Sequence, residues 1–184
     1  MRGRTYVEPG ARKRIKPSRI PDDAYEQMRR GAIGICSDVL LVYPERGTVL
    51  LSRRKAKPAK GEWWLIGGRR LPGESSVRGA VRCLERETGV RVAARRLVWL
   101  AQNDYLWKNR EQHPQNIGCH DIADAFALRV NEKEIERMRR GLDAEEYETD
   151  KGSCLVHFDK AKLVAAGVHP AMVDLYRIVR KKFK

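Results

Sequence analysis

Residues 67–90, GGRRLPGESSVRGAVRCLERETGV, constrain this chain more tightly than any other stretch. The apolar run Trp63-Trp64-Leu65-Ile66 feeds directly into a glycine pair, and an acidic turn follows. Val77, Ala80, Val81 and Leu84 then recur at i, i+3, i+4 and i+7, which predicts a helix over residues 75–88 with one buried stripe. Gly89 stands where such a helix stops. At Gly68 no Cβ blocks the backbone, so a ligand can come close. On a helical wheel Glu87 falls beside Ala80 and Cys83, at the edge of the stripe, where a carboxylate can face a cleft. One carboxylate, a backbone carbonyl and water make a partial shell for Mg²⁺, with Mn²⁺ as the alternative ion. Arg69, Arg70 and Arg82 add fixed positive charge suited to bidentate phosphate contacts.

The flanking pattern sets the fold class. A helix is expected over residues 21–30, a strand over 32–43, a turn at Pro44-Glu45-Arg46-Gly47 and a returning strand over 48–53. Further strands are expected over 91–102 and 122–130, the latter with Ile122, Phe126, Leu128 and Val130 on one face. Residues 103–118 read as a long polar loop containing Tyr105 and Trp107. A helix over 132–140, an acidic loop over 143–152, a strand over 154–158 and a final helix over 170–182 complete the chain. Strands and helices do not alternate as βαβ units, so the expectation is an α/β (α+β) mixed sheet packed by helices. The glycine pair is then no dinucleotide fingerprint.

Composition limits what this fold can bind. The net charge of +14 across 184 residues says that anions matter, whether phosphorylated small molecules or nucleic acid. Part of it lies in a basic stretch over residues 1–20, expected to be a flexible extension before a single domain over 21–184. The rest of the excess includes Arg180, Lys181, Lys182 and Lys184. No apolar run approaches bilayer length and no signal-type segment opens the chain, so a cytoplasmic protein with no membrane partner is expected. Cys36, Cys83, Cys119 and Cys154 form no CxxC pair and read as free thiols. Cys119-His120-Asp121 makes a poor metal site, because neighbours on a strand point to opposite faces.

Gly68, Glu74, Arg82, Leu84, Glu87, Gly89 and Val90 match the Nudix box, Gx5Ex7REUxEExGU, in which U is a bulky aliphatic residue. Cys83 and Arg86 stand where the box has glutamates. The chain therefore resembles the Nudix superfamily, which implies a mixed β-sheet sandwiched between helices. It is similar in particular to the GDP-mannose mannosyl hydrolases, which lack the first glutamates of the box and keep the last. Leu51-Ser52-Arg53-Arg54 and the loop Pro58-Ala59-Lys60-Gly61-Glu62-Trp63 resemble that subgroup's basic strand end and PAxGxW loop, and Asp38 stands where it has an aspartate. Two departures are visible. No proline precedes the glycine pair, and the stretch over residues 145–150 lacks the subgroup's Gln-His pair.

The resemblance implies a nucleoside diphosphate sugar, Mg²⁺, and water attacking the anomeric carbon with the nucleoside diphosphate leaving. Glu87 and the Gly68 carbonyl would hold the metal; Arg54, Arg69 and Arg82 would neutralise the leaving group. Asp38 would support the sugar or its arginine contacts, and Glu148 or Asp150 could replace the missing base catalyst. Apart from the resemblance, Tyr105 in the polar loop reads either as a loop anchor or as a substrate contact on which a nucleotide base could stack. A second reading stands beside the hydrolase: a Nudix-fold nucleotide- or nucleic-acid-binding protein without turnover. Nucleic acid would engage the basic tails, and a homodimer is compatible with either reading.

Overall fold

Val39, Leu40, Leu41 and Val42 are buried on both sides of one strand, which makes Gly34–Tyr43 (β1) the centre of the molecule. The computed structural model describes Glu8, Pro9, Ala11, Ile15 and residues 20–183, so the basic extension expected over 1–20 lies largely outside the described residues. A helix, Asp22–Gly31 (α1), precedes β1. Then come Thr48–Arg53 (β2), Trp63–Trp64 (β3), Ile66–Arg69 (β4) and Ser76–Thr88 (α2). Leu97–Trp107 (β5), Cys119–Arg129 (β6), Glu132–Arg140 (α3), Val156–Phe158 (β7), Lys160–Ala165 (α4) and Pro170–Lys182 (α5) follow.

These strands form one mixed sheet in the order β3-β2-β1-β6-β5. β1 runs parallel to β6 and antiparallel to its other partners. On its other edge β1 is shared: residues 36–39 pair with β4 and residues 41–43 pair with β2. That division leaves β4 and β2 on successive stretches of one edge, with residues 36–39 paired to β4 on one side and β6 on the other. Helices cover both faces. Phe126 and Leu128 of β6 pack with Ala80 and Leu84 of α2 and Ile135 and Met138 of α3, whereas Ala123, Ala125 and Ala127 leave room for Met172, Leu175 and Val179 of α5. No helix of the described residues is long and apolar enough to cross a membrane.

Most elements follow from local chemistry. α3 starts at a capping box, in which Asn131 accepts from the Glu134 N–H and Glu134 reaches back to the Asn131 N–H. Gly89 ends α2 in the left-handed conformation and returns its N–H to the Glu85 carbonyl. Two expectations are corrected. The strand expected over 91–102 begins at Leu97, after a single 3-10 turn over Ala94–Arg96, and runs on to Trp107. Asn103 to Trp107, read as loop, pair with residues 123 to 119 of β6: Tyr105 points inward while Asp104 and Leu106 face water. Their polar character reflects one wet face rather than a loop. In α2 the buried stripe is also rotated, running through Ala80, Cys83, Leu84, Glu87 and Thr88 and leaving Val77 and Val81 half-exposed.

Gly67 is the close approach on which β4 depends. A Cβ there would lie 2.2 Å from Asp38 Oδ1, 2.7 Å from Asp38 Cα and 2.8 Å from the Ser37 carbonyl. Gly67→Ala should therefore lower stability by about 1–3 kcal/mol, the usual cost of overpacking. Differential scanning calorimetry should record a lower Tm for Gly67→Ala and an unchanged one for Gly31→Ala, whose added methyl meets nothing within 4 Å.

Candidate active site

The last turn of α2 turns Glu87 into the protein and buries it completely. Its Oε2 accepts hydrogen bonds from the Tyr147 hydroxyl at 2.7 Å and from the Gly67 N–H at 3.1 Å. Its Oε1 is in contact with the guanidinium of Arg86. Burial pushes the Glu87 carboxyl above its ordinary range, and the Tyr147 hydrogen bond and the Arg86 charge oppose that shift. Tyr147, itself fully buried, comes from the acidic loop and also lies 3.0 Å from the Leu65 carbonyl. One carboxylate thus ties together the helix, the glycine strand and the acidic loop.

Beside this node lies a cleft of about 320 Å³. It is lined by the cationic side chains Arg29, Arg54, Lys57, Arg69, Arg86 and Arg110, against the carboxylates Asp38, Asp121 and Glu146. Arg29 pairs with Asp121 at 2.8 Å and Arg54 with Glu146 at 3.0 Å. Arg69 stacks on the Tyr25 ring, 3.9 Å from its centroid. Arg110 is fully buried and donates to the carbonyls of Gln112 and His113, while its Nη1 has no partner among the described residues. Arg69, Arg110 and Lys57 have no acidic side-chain partner for their charges among the described residues, which leaves the cleft with positive charge to spare. One wall is aromatic: Tyr105 stacks on Trp107 with centroids 5.4 Å apart, and Trp64 meets Tyr105 edge-on at 5.3 Å.

Asp38 lies on the floor of the cleft. It is 7% exposed, and among the described residues it has no ion pair and no side-chain hydrogen bond. Burial, together with the nearby Glu87 carboxylate, raises its carboxyl to about 7.

Of the residues singled out in the sequence, Asp38, Arg54, Gly68, Arg69 and Tyr105 line this cleft. Arg82 does not. Its guanidinium is held by Glu74 at 2.6 and 2.9 Å and by the Arg69 carbonyl at 2.8 Å, so it braces the loop after β4 and is not turned toward a ligand. Asp150 is also outside: it is exposed, its Oδ1 accepts the Gly152 N–H, and its carbonyl caps Ser153 and Cys154. The acidic loop runs along the end of β2, with Lys55 N–H donating to the Glu146 carbonyl and Glu148 N–H to the Arg53 carbonyl. Its contributions are Tyr147 and Glu146 rather than a base at Asp150. Tyr25, Arg29 and Arg110 join the cleft from α1 and the loop after β5, and no local pattern marked them.

A mixed sheet held between helices, with an anion-attracting cleft at the glycine strand and the helix that follows it, defines a protein of the Nudix fold. The chain matches the NUDIX domain over residues 35–176 and belongs to that family. It is 30% identical over 122 residues to the low-salt glycan biosynthesis protein Agl8 of Haloferax volcanii, covering 66% of this chain and 75% of that protein. Among solved structures it is similar to a MutT Nudix hydrolase from Burkholderia pseudomallei, with a TM-score of 0.57, 19% identity, and coverage of 79% of this chain and 97% of that one. The Nudix domain of Shewanella oneidensis NrtR in complex with ADP ribose gives a TM-score of 0.53 at 16% identity, covering 83% and 90%.

Nudix hydrolases generally use divalent metal ions, and the residues present here do not fit one at the expected place. Arg86 and the Tyr147 and Gly67 donors occupy both oxygens of Glu87, which has no exposed surface. A Cβ on Gly68 would sit 3.2 Å from the Arg86 Nη2 and 3.6 Å from Glu87 Oε1, so that same guanidinium lies beside both Gly68 and Glu87. Among the described residues no group of three or more His, Cys, Asp or Glu side chains is poised to hold a metal. The donor set around Glu87 and Gly68 therefore does not fit the metal expected on them.

The importance of the Tyr147 hydroxyl can be measured directly. Tyr147→Phe keeps the buried ring and removes one of the two hydrogen-bond donors to Oε2. Thermal denaturation should show a loss of about 1–3 kcal/mol, the cost of leaving a buried acceptor short of a donor.

Proposed function

We propose that this Nudix protein hydrolyses a nucleoside diphosphate sugar, or a closely related nucleoside diphosphate compound, at the carbon-oxygen bond of the sugar. The supporting observation is the unneutralised arginine and lysine charge around the cleft, which a diphosphate would balance. The aromatic wall of Trp64, Tyr105 and Trp107 supplies flat apolar surface for a base or sugar ring. A link to glycan biosynthesis in the Haloferax relative, and an ADP ribose complex among the structural neighbours, are consistent with that ligand class.

In this reading water attacks the anomeric carbon while the bond from that carbon to the diphosphate oxygen breaks. Arg54, Arg69 and Arg86 face the leaving diphosphate and stabilise the charge that develops on it, an arrangement strongest in a partly dehydrated cleft. Asp38 accepts the proton lost by the water. It suits that task because it is unpaired, lies on the cleft floor and carries a raised pKa. Arg82 contributes by holding the loop that carries Arg69. Attack at carbon leaves the phosphorus untouched, so the reaction asks for cations around the leaving group and not for a cluster of carboxylates.

Incubation with a panel of nucleoside diphosphate sugars should release free sugar and nucleoside diphosphate. In ¹⁸O-labelled water the label should enter the sugar; label in phosphate would mean attack at phosphorus. Binding without turnover across the panel would leave a nucleotide-binding protein in its place.

A second measurement tests the base. A carboxyl raised to about 7 is protonated and inactive at lower pH, so kcat/KM should climb with pH through that region and level off above it. Asp38→Asn should lose that dependence and about 10²–10⁴-fold in rate. A pH profile identical to wild type would remove Asp38 from the role.

A further inference from the structure

The arginine beside Glu87 extends the proposed function, and its meaning can be separated from the question of which substrate is used. Four observations converge on it. Arg86 occupies a box position where a glutamate is expected. Its guanidinium touches Glu87 Oε1 and comes within 3.2 Å of where a Gly68 Cβ would stand, beside the two residues that the resemblance assigns to a metal. Its side chain is 39% exposed while Glu87 has no exposure, so the positive group faces the cleft and the carboxylate does not. The remaining oxygen of Glu87 is held by Tyr147 and Gly67, which fixes the carboxylate as a support for the arginine.

We infer that Arg86 is the resident cation of this site, and that the protein binds the diphosphate of its ligand without a divalent metal on Glu87. The chemistry favours the exchange. A guanidinium carries a permanent charge and five N–H donors in a plane. With one edge on Glu87, donors remain for phosphate oxygens. A metal on the same oxygen would have to displace the Arg86 guanidinium already in contact with Glu87 Oε1 and would add its charge beside the arginines that line the cleft. Arg69 at the mouth of β4 and Arg54 at the end of β2 line the same cleft, so three arginines converge from three elements.

Two titrations decide the matter. In the first, isothermal calorimetry follows GDP, UDP and ADP binding to the full chain in EDTA and again in Mg²⁺. The nucleoside diphosphate that binds should do so with a Kd unchanged within about threefold between the two buffers. In EDTA Arg86→Gln should lose about tenfold or more, as expected for one charge-assisted phosphate contact, and Arg86→Lys, which keeps the charge without the planar fork, should fall between wild type and Arg86→Gln. Circular dichroism melts confirm that each variant is folded. Binding that appears only with Mg²⁺, or an Arg86→Gln variant with wild-type affinity, would overturn the inference.

The second titration needs no nucleotide. Mn²⁺ added to the wild-type protein, followed by electron paramagnetic resonance, should remain free in solution. One tightly bound Mn²⁺ per chain, lost in Glu87→Gln, would overturn the assignment even if every nucleotide failed to bind. Failure of all three nucleotides with Mn²⁺ still free would instead refute the proposed ligand class and the diphosphate half of the inference, while leaving Arg86 as the resident cation.

Discussion

A single buried carboxylate holds the working part of this molecule together. Burying an ionised group is costly unless its charge and its lone pairs are met, and Glu87 has both needs met from three different segments. The guanidinium of Arg86 balances the charge; the Tyr147 hydroxyl and the Gly67 N–H satisfy the other oxygen. Meeting those needs fixes the end of α2, the start of β4 and the turn of the acidic loop relative to one another. The cleft exists because these three pieces are locked while β1 divides its edge between β4 and β2.

The same arrangement explains how charge is distributed around the cleft. Each pair formed at its edge, Arg29 with Asp121 and Arg54 with Glu146, fixes a side chain's direction. Arg69 is fixed differently, by lying flat on Tyr25. A guanidinium held by one edge in this way keeps further N–H donors for a ligand. The Arg82–Glu74 pair shows the contrary case: both members match the Nudix box, yet each satisfies the other, and their work is to shape the loop. Matching a motif and touching a ligand are separate properties.

Much of the site was readable because its parts are close in sequence. The strand, glycine pair, loop and helix over residues 67–90 are consecutive, so periodicity and spacing alone placed Gly68, Arg69 and Glu87 near one another. Asp38 and Arg54 were reached through the resemblance and do line the cleft. The function of Arg86 was not readable. Consecutive residues on a helix do not face each other, so nothing local indicates that Arg86 would fold back onto Glu87. Tyr147 is not legible as an anchor because its loop is dominated by charges, while the single aromatic side chain in it does the anchoring. β5 was cut short at residue 102 for a related reason: Asn103, Asp104 and Tyr105 look like loop unless the other half of their ladder, in β6, is known.

From the sequence alone came the family of fold, the helix over the motif and its stop at Gly89, the helix over residues 132–140, the excess of positive charge and the loss of two glutamates from the box. Those properties depend on short-range periodicity, capping chemistry and composition, which act within a few residues. Only the tertiary structure decided that Glu87 is buried and already satisfied, that Arg86 lies against both it and Gly68, and that Asp38 is the unpaired acid on the cleft floor. Burial and the hydrogen bonds that satisfy the second oxygen of Glu87 depend on contacts between segments 20 to 60 residues apart, and no local pattern records them.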